Sequence, residues 1–270
     1  MAVGDLVTDD YMFEYNGLAI GATTDYGLTM VRNLIGYGSH RSSALRFGAH
    51  GMHAGRTYAI EKLPIFDGEI RITDDADFET KRRALTSAFQ ITVGPDDREL
   101  LVFRLPGAGT KVQALCSCLG VDLEIDRLHS INVPRFKVRL EMADPILYAL
   151  TAVNTVFTVS SDTQSIANNG NAPAGWTASL LGPATNPILT HNGTGQVIAF
   201  TQLELTGSDT LVYDSYEGTV KVNGVDKGNF IQGDFSWFDL LPGSNSISLS
   251  ATDASMATFT LTHRDAYWTV

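Results

Sequence analysis

Three histidines, His40, His50 and His53, fall in the stretch HRSSALRFGAHGMHAGRTYAI, with glycines at 48, 51 and 55. His50 with His53 is the kind of pair that ligates a transition metal. Their spacing does not place two imidazoles on one strand face, and no Cys or Glu completes a ligand set. The stretch reads as a glycine-rich connecting loop, and no metal is expected. Its glycines form neither G-x-G-x-x-G nor a P-loop, so they make no phosphate cradle. The two cysteines, Cys116 and Cys118, stand one residue apart in VQALCSCLGVDL. In a strand they point to the same face, and a disulfide at that spacing would distort the strand. C-x-C alone is no zinc or redox motif. Two reduced, largely buried thiols are expected.

Carboxylates are the other source of chemistry. Asp74/Asp75 and Asp96/Asp97 are adjacent pairs, and neighbours in a cap or turn point apart. Capping and turn chemistry account for both. Asp214 and Asp239 would act as a glycosidase pair only if they lay within roughly 5–10 Å in a cleft. Asp214 sits in a strand-and-turn context and Asp239 beside Trp237, which favours structural roles. No nucleophile, base and orienter can be nominated, so no catalytic residue and no cofactor are expected. Trp176, Trp237, Tyr213, Tyr216 and Trp268 could form a carbohydrate platform. Packing in a core or rim competes with that reading, because aromatics bury most of their area. Trp176, Trp237 and Tyr216 are the candidate contacts for a glycan or a partner. Asn192-Gly193-Thr194 fits a glycosylation acceptor and, with no secretion signal ahead of it, reads as a turn.

The elements that must position these residues divide the chain. It has 270 residues, 44% hydrophobic and 18% charged, the composition of a folded protein. A net charge of −11 argues against a nucleic-acid binder, which needs a basic stripe. Lys81-Arg82-Arg83 is balanced by Asp74, Asp75, Asp77 and Glu79 and reads as a solvated helix face. No run of about 18 apolar residues suggests a membrane span. The start, MAVGDLVTDD, lacks the basic and apolar regions of a signal peptide, so synthesis in the cytoplasm is the default. These residues, to about Asp10, look like a flexible arm.

In the first half, Asn16-Gly17 marks a tight turn after a short strand. Leu28–Tyr37 reads as a strand, plain or bulged. Arg56–Thr73 reads as two strands around an Asp67-Gly68 hairpin. A helix is expected over Asp75–Gln90, with Phe78, Leu85 and Phe89 on one side. A strand follows at Arg98–Leu105, and Lys111–Ile125 reads as a strand pair or one bent long strand containing Gly120. In VPRFKVRLEMADPILYAL, Phe136, Val138, Leu140 and Met142 alternate with Arg135, Lys137, Arg139 and Glu141, the period of a half-buried strand. Asp144-Pro145 then stops it. This is the last strand of an α+β N-terminal domain, mostly antiparallel β with one helix, assigned to 1–148.

Residues 149–270 are polar and rich in turn signals: Asn169-Gly170, Gly182-Pro183, Asn192-Gly193, Asn223-Gly224 and Pro242-Gly243. Short alternating runs lie between them. Many short strands with such turns indicate an all-β sandwich.

The order of these motifs resembles the distal tail protein family of long-tailed, siphovirus-type bacteriophages. In the second half it is carried by Asn168-Asn169-Gly170 with Ala172-Pro173, Asn186-Pro187, Gly193-Thr194-Gly195, Leu211-Val212-Tyr213-Asp214 and Val222-Asn223-Gly224. The most specific stretch is Trp237-Phe238-Asp239-Leu240-Leu241-Pro242-Gly243-Ser244-Asn245. In the first half, Gly55-Arg56-Thr57-Tyr58, Ala88-Phe89, Leu100–Leu105 and Met142-Ala143-Asp144-Pro145 before Tyr148 are similar. The stretch from His40 to Gly55 does not match closely. The resemblance implies a structural protein of the virion tail tip, made in the bacterial host and neither enzyme nor cofactor carrier. It implies a homo-oligomeric, commonly hexameric, ring made by the first domain, with a galectin-like sandwich after it. The implied partners are the tail tube, the tape-measure protein, the tail hub and receptor-binding proteins. Ring formation needs edge strands or loops that meet the next subunit, and the N-terminal arm and the loop around His50 are the candidates. An acidic protein also suits a channel that DNA crosses without sticking.

Overall fold

The computed structural model describes residues 2–36, 38–45, 52–94, 97–106, 109–124, 133–157, 161–231, 237–252 and 258–269. Its contacts divide into two compact units, Met1–Leu150 with Trp268–Val270, and Thr151–Tyr267.

The first unit contains β1 (Met12–Tyr15), β2 (Leu18–Ile20), β3 (Tyr26–Arg32), β4 (Ser39–Leu45), β5 (Met52–Ala59) and β6 (Ile65–Ile70). After α1 (Asp75–Ala88) come β7 (Glu99–Arg104), β8 (Val112–Glu124), β9 (Arg135–Glu141) and β10 (Leu147–Ala149). The strands pair antiparallel in the order β2-β1-β7-β8-β9-β6-β3. Asn16 and Gly17, at φ 45° and 74°, make the β1–β2 turn, and Tyr15 pairs with Leu18.

The long strand β8 joins two half-sheets. Its first part pairs with β7, and its second part, after an irregularity between Cys118 and Gly120, pairs with β9. The break bends the strand, so the half-sheets face each other across one core. Phe13 of β1 therefore meets both Phe103 of β7, stacked at 5.4 Å, and Phe66 of β6, edge-on at 5.2 Å. Cys116 and Cys118 are buried and free, and burial pushes the Cys116 thiol up to about 12.

Phe136, Val138, Leu140 and Met142 are buried as their alternation requires. On the outer face Lys137 lies in register between Asp67 and Asp122, and Arg135 between Glu69 and Glu124. Such exposed pairs add little stability but oppose a slip in register.

Helix α1 starts on Asp74, whose carboxylate accepts the Asp77 N–H at 2.8 Å. It ends at Ala88 rather than Gln90, because Phe89 leaves the helix to stack on Tyr15 at 4.8 Å.

Three expectations for this half change. The first residues are not a loose arm. Val7 is buried, and the buried Glu14 accepts the N–H groups of Gly4 and Leu6 at 3.1 and 2.9 Å. Lys111 Nζ donates to Gly4 O at 2.7 Å. A carboxylate and an ammonium thus satisfy backbone groups that would otherwise need water. The histidine stretch is not a connecting loop either: β4 and β5 pair as an antiparallel ribbon. His40 is exposed on it, while His50 lies outside the described residues, as does the side chain of His53. Finally, Asp67-Gly68 lies inside β6 and makes no hairpin. A Cβ on Gly68 would stand 2.4 Å from Phe136 Cζ and 2.5 Å from Gly27 O, so glycine is there for close approach.

The second unit contains β11 (Val153–Phe157), β12 (Ser161–Asn168), β13 (Trp176–Leu181), β14 (Ala184–His191), β15 (Gln196–Ala199), β16 (Glu204–Leu205) and β17 (Thr210–Asp214). Then come β18 (Thr219–Val222), β19 (Val225–Asp226), β20 (Gly243–Thr252) and β21 (Thr258–His263). Two antiparallel sheets result, β11-β21-β13-β17-β18-β19 and β12-β20-β14-β15, with β16 on β14. Phe157, Trp176, Tyr213, Phe238, Ile247 and Phe259 are buried between them. Asn223 and Gly224, at φ 49° and 82°, turn β18 into β19 as the Asn-Gly pair requires.

Candidate functional site

The WFDLLPGSN segment is held by buried amides in the second unit. Asn245 Nδ2 donates to the carbonyls of Leu241, Gly243 and Ile166, while its Oδ1 accepts the Leu241 N–H at 2.8 Å. The same oxygen lies 3.0 Å from His191 Nε2. Thr194 N–H donates to His191 Nδ1, which leaves the ring proton on Nε2. Asn168 Nδ2 donates to Ala172 O and Leu240 O, fastening the segment's other side. Buried amides satisfied on this scale specify one backbone path, which is why Asn recurs in the motif.

Trp176, Trp237 and Tyr216 are brought to one corner of this unit, but not as a platform. Trp176 is fully buried; its indole N–H donates to Phe238 O at 2.8 Å, and its ring lies 5.2 Å from that of Phe238. It touches no solvent and is core, which corrects its assignment as a contact residue. Trp237 is half-buried, 6.3 Å ring to ring from Trp176. Tyr216 is exposed, and its hydroxyl donates to Gly175 O at 2.7 Å with its ring over that glycine.

The carboxylates serve the fold. Asp214 accepts the N–H groups of Tyr216 and Glu217. Asp97 accepts that of Gly94; Asp96 lies outside the described residues. Asp239 is exposed. Among the described residues no group of three His, Cys, Asp or Glu could hold a metal ion. No helix among them is long and apolar enough to cross a membrane.

The feature that sequence reasoning missed is a groove of about 550 Å³ in the first unit, lined mainly by Tyr11, Leu28, Met30, Leu34, Ile35 and Leu105. β2 pairs with β1 only as far as Ile20 opposite Phe13, so Tyr11 has no partner in β2. β3 closes the strand order, and its outer edge pairs with no strand among the described residues. Tyr11, Met30 and Ile35 are 60%, 54% and 56% exposed. Two non-glycine residues in the left-handed region frame the groove, Tyr11 at φ 60° and Asn33 at φ 59°. Such strain in a bulky residue is a mark of functional surfaces. The adjacent apolar pair Met30-Val31, with side chains on both faces of a strand, was the available signal.

Comparison with known proteins gives the class. Residues 169–267 match the family described as siphovirus-type tail component, C-terminal domain. No curated protein sequence matches. Over 93% of this chain and 97% of the other, the fold is similar to the crystal structure of the SPP1 Dit (gp 19.1) protein, described as a paradigm of the hub adsorption apparatus in Gram-positive-infecting phages. The identity is 15% and the TM-score 0.68. A chain of the phage p2 baseplate in its activated conformation with Sr aligns over the same shares at 10% identity and a TM-score of 0.48. Residues 169–267 are thus similar to a siphovirus-type tail component domain, and the fold over nearly the whole chain is similar to that of the SPP1 Dit protein.

Proposed function

We propose that this tail component assembles as a ring, hexameric as in the family it resembles, at the far end of the tail. In this reading the first unit makes the ring and continues the tail tube, meeting the tape-measure protein and the tail hub. The second unit, a galectin-like sandwich, carries or contacts receptor-binding proteins. The match of residues 169–267 to the siphovirus tail component carries the proposal. The exposed apolar groove beside an edge strand that no described strand pairs supports the ring, because such a surface is commonly covered by a partner. Mass in solution and electron microscopy test it. Ring-shaped oligomers are expected, and a strict monomer at high concentration would remove the reading.

Glycan binding as a second activity rests on Tyr216 and Trp237 alone, since Trp176 is enclosed. Loss of binding to host cell-wall glycan in Tyr216→Ala would support it; a protein that binds no such glycan would end it.

A further inference from the structure

The groove has a counterpart on the same unit. After α1, residues 90–94 run alongside β8: Thr92 N–H donates to Cys118 O at 3.1 Å, and the Thr92 hydroxyl accepts the Cys118 N–H at 2.8 Å. Thr92 is thus held against β8, while its neighbours Ile91 and Val93 stay in solvent. They are 68% and 92% exposed. The exposed Leu119, at the irregular point of β8, lines the same shallow depression as Val93. The result is an aliphatic protrusion with no role in the unit's own core.

Protrusion and groove lie at opposite ends of one strand. Ile91 and Val93 adjoin Tyr15 and Asn16 at the end of β1, while Tyr11 at its start lines the groove. Five steps of extended chain separate the two ends by roughly 16 Å. A copy that seats its protrusion in a neighbour's groove therefore leaves its own groove open for a third. That is a heterologous contact, the kind that can close into a ring, whereas a two-fold dimer needs one self-complementary patch.

We propose that the groove is filled by the Ile91–Val93 protrusion of a second copy of this chain, lying against the edge of β3 that pairs with no strand among the described residues. The proposal rests on the ring reading and names its contact. The groove is mainly apolar and the side chains offered to it, Ile91 and Val93, are exposed aliphatics, so their burial drives the contact.

The test uses the full chain. Val93→Asp and Met30→Asp change exposed side chains and should leave the melting temperature unchanged. Each should weaken subunit association by roughly tenfold or more, read as the concentration at which assemblies dissociate. Because Cys116 and Cys118 are buried, Val93→Cys protein mixed with Met30→Cys protein should also cross-link between copies. Little cross-linking is expected when either variant is incubated alone. If the unmodified chain is monomeric, the ring reading fails and this contact with it. If it assembles and both Asp variants assemble equally well, the ring stands and the contact is overturned. If only Met30→Asp weakens assembly and the mixed cysteines do not link, another segment fills the groove, and the assignment to Ile91–Val93 is overturned.

Discussion

Gly68 lacks a side chain because Phe136 and the Gly27 carbonyl occupy the space one would need. Gly68→Ala should therefore destabilise the protein by about 1–3 kcal/mol, the usual cost of overpacking a filled site. Urea denaturation measures this, and an unchanged midpoint would mean that Phe136 swings aside without cost. The same residue shows what one sequence conceals. Asp-Gly between apolar residues is a sound hairpin signal when only local geometry matters. Here a ring from a strand far away in sequence needs the glycine, and nothing near position 68 records that. Glu14 is a similar case. A lone carboxylate in the run MFEY carries no local sign of its partners, yet it fastens the first residues through two backbone N–H groups. Asn16-Gly17 was legible because the whole cause of the turn lies in those two residues.

Helix α1 was legible in its start and its face, since capping and amphipathic spacing are local. Its end was not, because the stacking of Phe89 on Tyr15 decides it. The helix also makes stability depend on pH. Hydrogen bonds from Arg82 and then Arg83 hold Glu79 down at about 2. The Lys81 ammonium, then the Thr73 N–H, hold Asp77 below the usual carboxylate range. A carboxylate depressed in the folded state stabilises fully above its unfolded value, and that contribution is lost as pH falls through the folded one. Acidification from the ordinary carboxylate range toward pH 2 should thus weaken the fold, and Glu79→Gln should lower the sensitivity. Denaturation midpoints across that range, for both proteins, measure the effect. Identical slopes would show that the pairs are too well solvated to matter. Strand β9 needed no such help, because its alternation alone separates Phe136, Val138 and Leu140 from the charged face.

At the scale of the whole molecule, the ring proposed above requires the first unit to keep its shape. Leu140 is fully buried in β9, and Leu140→Asp removes packing and buries a carboxylate. A loss of about 4 kcal/mol or more is expected, with failure to form rings. Mass in solution and denaturation check both parts, and normal rings in this variant would contradict the role given to β9. The sequence order of motifs was enough to suggest the family. The groove was not readable, since Tyr11, Met30 and Ile35 are brought together only by the fold. Trp176 failed as a contact for a related reason. Tryptophan fits an exposed rim or a core equally well by composition, and only the Phe238 carbonyl that receives its N–H decides between them.

The pairing of His191 with Asn245 has a spectroscopic consequence. The single ring proton of His191 sits on Nε2, hydrogen-bonded and sealed from water. Most histidine ring protons exchange with solvent too quickly to be observed. This one should give a resolved proton resonance in water, and its exchange rate would report how often the corner around the WFDLLPGSN segment opens. If the receptor-binding partner proposed above docks at this corner, it should slow that exchange, and one imidazole proton then gauges the engagement.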